Sequence, residues 1–237
     1  MHSYKIIFYC LVGSSILSMV MAAASLNEAL KGLVQTGNTV PSREAVPDKN
    51  SLAFPYYVTG YDYEDRPVIV MEWGRWDIRT LAEKGGDRVA KYEKGIDEFV
   101  KRVKSGYFSK KSNEPNPEDE NETDSAQIAV VIDFEGLSLR QLGTPASVAL
   151  FVRGLGKLEK VYKEFAYGYL LNSTPLVDQV INLSRPYMGK FLERCEVYGT
   201  VSRTWIPKIL KNIPRSQLHS AYGGKKDFRP VAVYNIF

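Results

Sequence analysis

Two histidines, His2 and His219, and two cysteines, Cys10 and Cys195, are all that the 237 residues offer for soft-metal or thiol chemistry. No four of them are spaced in the close pairs that a structural zinc site needs, so no metal is expected. Cys195 falls in an expected strand, where a thiol is commonly buried and inert, which leaves a Cys195 and His219 dyad with little support. Asp133 and Glu135 stand two apart in VVIDFEG and, on a strand, would point to one side as a carboxylate pair for general acid and base work. No histidine, metal cluster or nucleophile elbow accompanies them, so a hydrolase using Asp133 and Glu135 is a remote alternative. Gly154-Leu155-Gly156-Lys157 is followed by Leu158 rather than Ser or Thr and lies in a helical pattern, which removes a phosphate-binding loop. No catalytic residue and no cofactor is expected.

The elements that carry these residues follow from the hydrophobic pattern. With 44% apolar and 24% charged residues the chain can bury a core, and one main domain is expected. Thirty-one basic against 27 acidic residues leave +4, too mild a charge for phosphate-backbone binding, so nucleic acid is not an expected partner. The stretch from His2 and Lys5 through an apolar run to Ala22, Ala23, Ala24 and Ser25 reads as a signal peptide cleaved after Ala24, or as a signal anchor. Ile6 to Ala24 would rise about 28 Å as a helix, close to a hydrocarbon core of about 30 Å, which keeps the anchor open. Residues 25–50, with Pro41 and Pro47, read as a linker.

From Ser51 the pattern becomes that of a folded domain. Pro55 to Tyr61 and Pro67 to Glu72 are β-rich runs around the polar Asp62 to Arg66, a hairpin signal. Val89, Tyr92, Ile96, Phe99, Val100, Val103 and Tyr107 recur at helical steps over about five turns. Bases gather at that helix's end, matching its dipole, with membrane contact beside Tyr107 and Phe108 as the second reading. Residues 109–125 form an acidic flexible loop: six acids from Glu114 to Asp124, and no apolar residue among them to bury. Asn121, Asn172 and Asn182 open N-x-S/T sequons, of which only the first is expected to be exposed.

Gln127 to Phe134 is a continuous apolar run suited to a strand covered on both faces. Thr144 and Pro145 start a helix running to about Tyr162, and Phe165 to Leu171 reads as a second inner strand. Strand, helix, strand makes a right-handed crossover and the class α/β. Thr174 then caps another helix with Pro175 at its first position and Asp178 near its positive end. Leu176, Val177, Val180, Ile181, Leu183 and Tyr187 share one broad face of it, and Pro186 should kink or stop it.

In order along the chain, GYDYEDRPVIVMEWG, VVIDFEGLSL, YLLNSTP with its kinked helix, RCEVYGT and IPKILKNIPRSQLHSAYGG resemble the CRAL-TRIO lipid-binding family over residues 51–230, with 231–237 left as a C-terminal tail. The more specific parts are the Asp65 to Val68 turn, the Asp133 to Gly136 turn, the strand exit at Asn172 and Pro175, and Tyr222-Gly223-Gly224. The resemblance implies a mixed, mostly parallel sheet flooring an apolar pocket, flanked by helices and closed by a gate helix at Thr174 to about Tyr187. It implies a pocket lined by the six apolar residues of that helix together with Val131, Tyr169 and Leu171. It further implies a bound lipid, phospholipid or other lipophilic molecule, exchanged at a membrane surface without chemistry by a monomer.

In relatives of the phosphatidylinositol-transfer type a basic residue after the gate meets the lipid phosphate, and Arg194 matches that position. Tyr162-Lys163-Glu164 stands where those relatives carry a Pro-Glu pair, and only residues 25–50 stand where the family usually has a helical lobe. A secretory-lumen location follows if the leader is real; the alternative is a cytoplasmic, membrane-peripheral protein as in most relatives. The competing function is a protein-interaction module with a vestigial pocket.

Overall fold

The computed structural model describes residues 54–110 and 127–236. The leader and linker expected over 1–50, and the acidic run with Asn121, lie outside the described residues. Strands β1 (Pro55–Tyr61) and β2 (Pro67–Met71) pair antiparallel, with Tyr61 opposite Pro67, as the hairpin signal predicts. Buried Asp62 locks the turn: its Oδ1 accepts the backbone N–H of Glu64 at 2.9 Å and of Arg66 at 2.8 Å, while Asp65 adopts a left-handed φ of 60°.

Helices α1 (Ile78–Lys84) and α2 (Gly86–Lys104) follow, then β3 (Ile128–Asp133), α3 (Pro145–Glu159), β4 (Phe165–Ser173), α4 (Pro175–Leu192), β5 (Cys195–Gly199), α5 (Ser202–Asn212) and β6 (Ala232–Asn235). The starts of α3 and α4 are fixed by local chemistry. Thr144 and Ser147 form a reciprocal capping box ahead of α3, and the Thr174 hydroxyl accepts from the Val177 N–H ahead of α4. Helix α3 stops at Glu159 rather than near Tyr162, which lies in a separate turn of 3₁₀ helix.

The six strands are ordered β5-β4-β3-β2-β1-β6. Strands β2 to β5 run parallel, and β1 is antiparallel to both of its neighbours. Every residue of β2 and β3 is buried, because helices cover both faces. One face packs Ile69, Met71, Val130, Ile132 and Leu170 against α1 to α4. The other packs Val68, Val70, Val131, Tyr169 and Leu171 against Trp205 and Ile209 of α5 and against Ile213, Leu218 and Tyr222 beyond it.

The structure corrects two expectations here. The tail expected at 231–237 instead contributes β6, which pairs with β1, and Ile236 beyond it is buried and donates its N–H to Phe54 O at 3.0 Å. Gly95 on α2 makes this docking possible, since a Cβ there would lie 1.4 Å from the Ile236 carbonyl oxygen. Phe108 is buried and packs edge-on to Tyr56, which leaves Tyr107 alone exposed at the end of α2 and removes Phe108 from any membrane contact. No helix among the described residues is long and apolar enough to cross a membrane.

Candidate ligand cavity

Helix α4 lies across the sheet face shared with α3. Val177, Val180, Ile181, Ser184, Met188, Phe191 and Leu192 are its buried residues. Leu176 and Leu183 are half-buried against the same core, and Tyr187 is half-buried without being part of it. The apolar stripe expected on this helix is thus real, with its strongest part at Val177, Val180 and Ile181. Pro186 does disturb the helix: it has no N–H to give the Asn182 carbonyl, and two residues later Met188 leaves helical geometry at φ −145°, ψ 34°. The backbone N–H groups of Lys190 and Phe191, just past the break, donate to the Glu159 carboxylate at 3.2 and 3.0 Å, so the end of α3 caps the last turn of α4.

Between Asp178, which accepts from Ser173 at the end of β4, and this tether, α4 makes no hydrogen bond to the sheet or to α3 among the described residues. Ser184 donates to Val180 O and Arg185 to Asn182 within the helix, and Ser173 donates to Asp178 at its start. The middle of the helix is therefore held by apolar contact alone.

Two adjoining cavities lie on this face of the sheet, one beneath α4 and one between the sheet, α2 and α3. One is walled by Trp73, Ile132, Phe134, Phe151, Leu155 and Leu170 from below and by Val180, Ile181, Ser184, Met188, Phe191 and Leu192 of α4. The other shares Trp73, Phe151 and Leu155 and continues past Trp76, Tyr92, Ile96 and Phe99 to Ile236. Neither wall contains a charged side chain. Each cavity holds about 20 Å³ of free space, close to the room of one water, against roughly 300–1,000 Å³ for ordinary ligand pockets. The expected open chamber is therefore not formed in this conformation: side chains fill the space and leave only a narrow apolar seam.

Of the residues expected in this chamber only Val180 and Ile181 line it; Leu176, Val177, Leu183 and Tyr187 of α4 line neither cavity, and the structure likewise corrects the assignment of Val131, Tyr169 and Leu171. All three project from the opposite face and pack against α5, where the Tyr169 hydroxyl accepts from Asn212 Nδ2 at 2.6 Å. Their strand neighbours Ile132 and Leu170 line the cavity instead, because successive side chains alternate between faces. Trp73, Trp76, Phe151 and Phe191 join the wall without having been expected there. Their apolar character is plain in the sequence, but only tertiary packing shows that residues so far apart share one wall.

Arg194 lines neither cavity. Its Nη1 donates to Phe165 O at 2.7 Å and its guanidinium lies 5.7 Å from the Tyr162 ring centroid, so it braces the starts of β4 and β5. Asp133 and Glu135 do not converge on a cleft either. Asp133 Oδ1 accepts from the Glu135 N–H at 2.9 Å and from Asn172 Nδ2 at 2.6 Å, and its Oδ2 accepts from the Tyr222 hydroxyl at 2.9 Å. Asn172 reaches that bond from a left-handed φ of 59°, a conformation asparagine tolerates better than most residues. Burial, with Tyr57 and Asp133 nearby, pushes the Tyr222 phenol well up, which keeps it a donor. Glu135 faces Arg75 at 3.6 Å.

The sequons also sort by packing: the Asn172 side chain is buried in this network, whereas Asn182 is exposed on α4, contrary to expectation. Cys195 is half-buried, and burial pushes its thiol up to about 12, as an inert packing residue requires. His219 caps a turn by accepting the Ala221 N–H at Nδ1.

No individual curated protein matches the sequence. The match to a domain family covers residues 53–224, from the start of the β1–β2 hairpin to the glycines after Tyr222, and with it α3, α4 and most of the cavity wall. The chain belongs to the CRAL/TRIO domain family, whose members bind lipophilic molecules.

Proposed function

We propose that the protein shelters one hydrophobic ligand or phospholipid beneath α4 and exchanges it at a membrane surface, without chemistry. The observation that carries this reading is the apolar cavity under a helix that breaks at Met188 and whose middle has only apolar contacts, continued through Trp73, Phe151 and Leu155 into a second apolar cavity beside α2 and α3. A 16-carbon chain loses roughly 12 kcal/mol on entering water, at about 0.8 kcal/mol per methylene, so a two-tailed lipid does not cross between membranes unaided. A dry seam of Val, Ile, Leu, Phe and Trp offers an environment close to that of the bilayer interior. Exchange between the two is then nearly neutral, and the barrier is the lifting of α4.

Residues 175–187 move as the gate, turning about Met188, while Glu159 holds the last turn in place. The face bearing Leu176, Val180, Ile181 and Leu183 meets lipid when closed and membrane when open. Ile181→Asp puts a carboxylate into the wall at the centre of that face. Transfer of a fluorescent phospholipid between vesicles should fall at least tenfold in this variant, while its far-ultraviolet circular dichroism stays that of the wild type. Undiminished transfer by the folded variant would remove α4 from the pathway.

A further inference from the structure

Three aromatic residues with a hydrogen to donate stand in the wall of the cavity that reaches Ile236: Trp73, Trp76 and Tyr92. The two tryptophans are 7% and 4% exposed, and neither indole N–H has a hydrogen-bond partner although both nitrogens are buried. Buried donors in folded proteins are nearly always satisfied, because a stranded N–H has lost water and gained nothing. Phenylalanine would supply much the same ring packing at both positions without a donor to strand. The rings are neighbours, with centroids 5.9 Å apart and planes tilted by 42°.

The rest of this wall decides what such donors can meet. Met71, Ile96, Phe99, Phe151 and Leu155 surround them, and no basic side chain is present to neutralise an anion. A phosphate or carboxylate brought here would be an unpaired charge in apolar surroundings, while a plain hydrocarbon would leave both N–H groups stranded. A neutral oxygen avoids both costs, and a carbonyl has two lone pairs, one for each indole. Burial holds the Tyr92 phenol far above its ordinary range, so it too remains a neutral donor beside this site.

We propose that Trp73 and Trp76 form the polar anchor of the cavity, and that its ligand is a neutral lipophile whose carbonyl or hydroxyl oxygen is buried against the two indole N–H groups. This rests on the carrier reading above. It places the ligand's polar group at the inner end of the seam, away from Arg194.

The test compares binding of methyl dodecanoate and tetradecane to the full chain, each delivered from phosphatidylcholine vesicles and counted on the protein by native mass spectrometry. Trp73→Phe with Trp76→Phe keeps the rings and removes both donors. The double variant should bind the ester roughly 3- to 10-fold more weakly and the hydrocarbon as well as the wild type does. Equal losses for both probes would mean that the rings act by shape alone and would overturn the anchor while leaving the carrier reading intact. Unchanged binding of both would mean that water already serves the indoles, and it would overturn the anchor in the same way. If the wild type takes up phosphatidylcholine from the vesicles but neither probe, the anchor falls and the carrier reading stands; if it takes up neither probe and no phospholipid, both fall. Should the double variant misfold, Trp76→Phe alone is expected to show the same selective loss at roughly 2- to 3-fold.

Discussion

The two faces of the sheet are both covered by helices but are held in different ways. Under α5, Trp205, Ile209, Ile213, Leu218 and Tyr222 are buried to 1% exposure or less, and Tyr222, Asn172 and Asp133 are tied into one hydrogen-bonded cluster. On the face covered by α1 to α4 the packing contains two cavities, α4 breaks at Met188, and two indole N–H groups stand unpaired. The first arrangement fixes a strand exit and a helix against the sheet. The second leaves one helix attached at its ends and free of polar links in between. Within one domain, the sheet thus has one side tied by a buried polar network and another whose covering helix has polar attachments only near its ends.

The largest expected effect lies on the closed side. Trp205→Ala should lower the unfolding free energy by about 3–5 kcal/mol in urea titration, since it empties a fully buried site. A loss under about 1 kcal/mol would mean that the α5 face is not the rigid one. Next comes Asp133→Ala, which strands the Tyr222 hydroxyl and the Asn172 amide at about 1–3 kcal/mol for each group left unpaired. Transfer per folded molecule should be unchanged, and a selective loss of transfer in this variant would instead give Asp133 a direct role.

Glu159→Ala sharpens the comparison from the α4 side. Loss of the carboxylate that caps Lys190 and Phe191 should cost about 1 kcal/mol and speed amide hydrogen exchange at those two residues several-fold. Unaltered exchange there would show that the end of α4 is not tethered by Glu159. The smallest effect concerns Cys195, whose thiol burial raises from 9.0 to about 12. Because the folded pKa is the higher one, the stability it contributes is fully present below about pH 9 and is lost as pH rises toward 12. At about pH 8, below both values, iodoacetamide should therefore modify Cys195 slowly in the native protein and quickly in urea, as peptide mapping can show. Fast native modification would mean that the β4–β5 edge opens readily.

The same contrast explains what could be read in the amino-acid sequence. Capping is local chemistry, so Thr144 with Pro145 and Thr174 with Pro175 announce α3 and α4 correctly. The apolar stripe of α4 and its disturbance at Pro186 are equally visible, though the break itself falls at Met188. Strand faces are not visible in β3 and most of β4, because a strand buried on both sides is apolar at every position and has no period-two signal to say which residue looks toward which helix. Val131, Tyr169 and Leu171 fall on the wrong side of the expected pocket for that reason. Strand β6 is hidden by its shortness and edge position, and its role depends on Gly95, far earlier in the chain. Trp73 and Trp76 give no sign of being donors in a cavity, since that depends on α3 and Ile236 arriving beside them.

The central claim is that the seam beneath α4 opens to hold one lipid. Native mass spectrometry of the full chain, after incubation with mixed-lipid vesicles and separation from them, tests it directly. The account predicts a species heavier than the protein by the mass of one lipid, at one-to-one stoichiometry, and its loss in Ile181→Asp. A spectrum showing only bare protein, from wild type that is folded and was given every lipid class in the mixture, would contradict it.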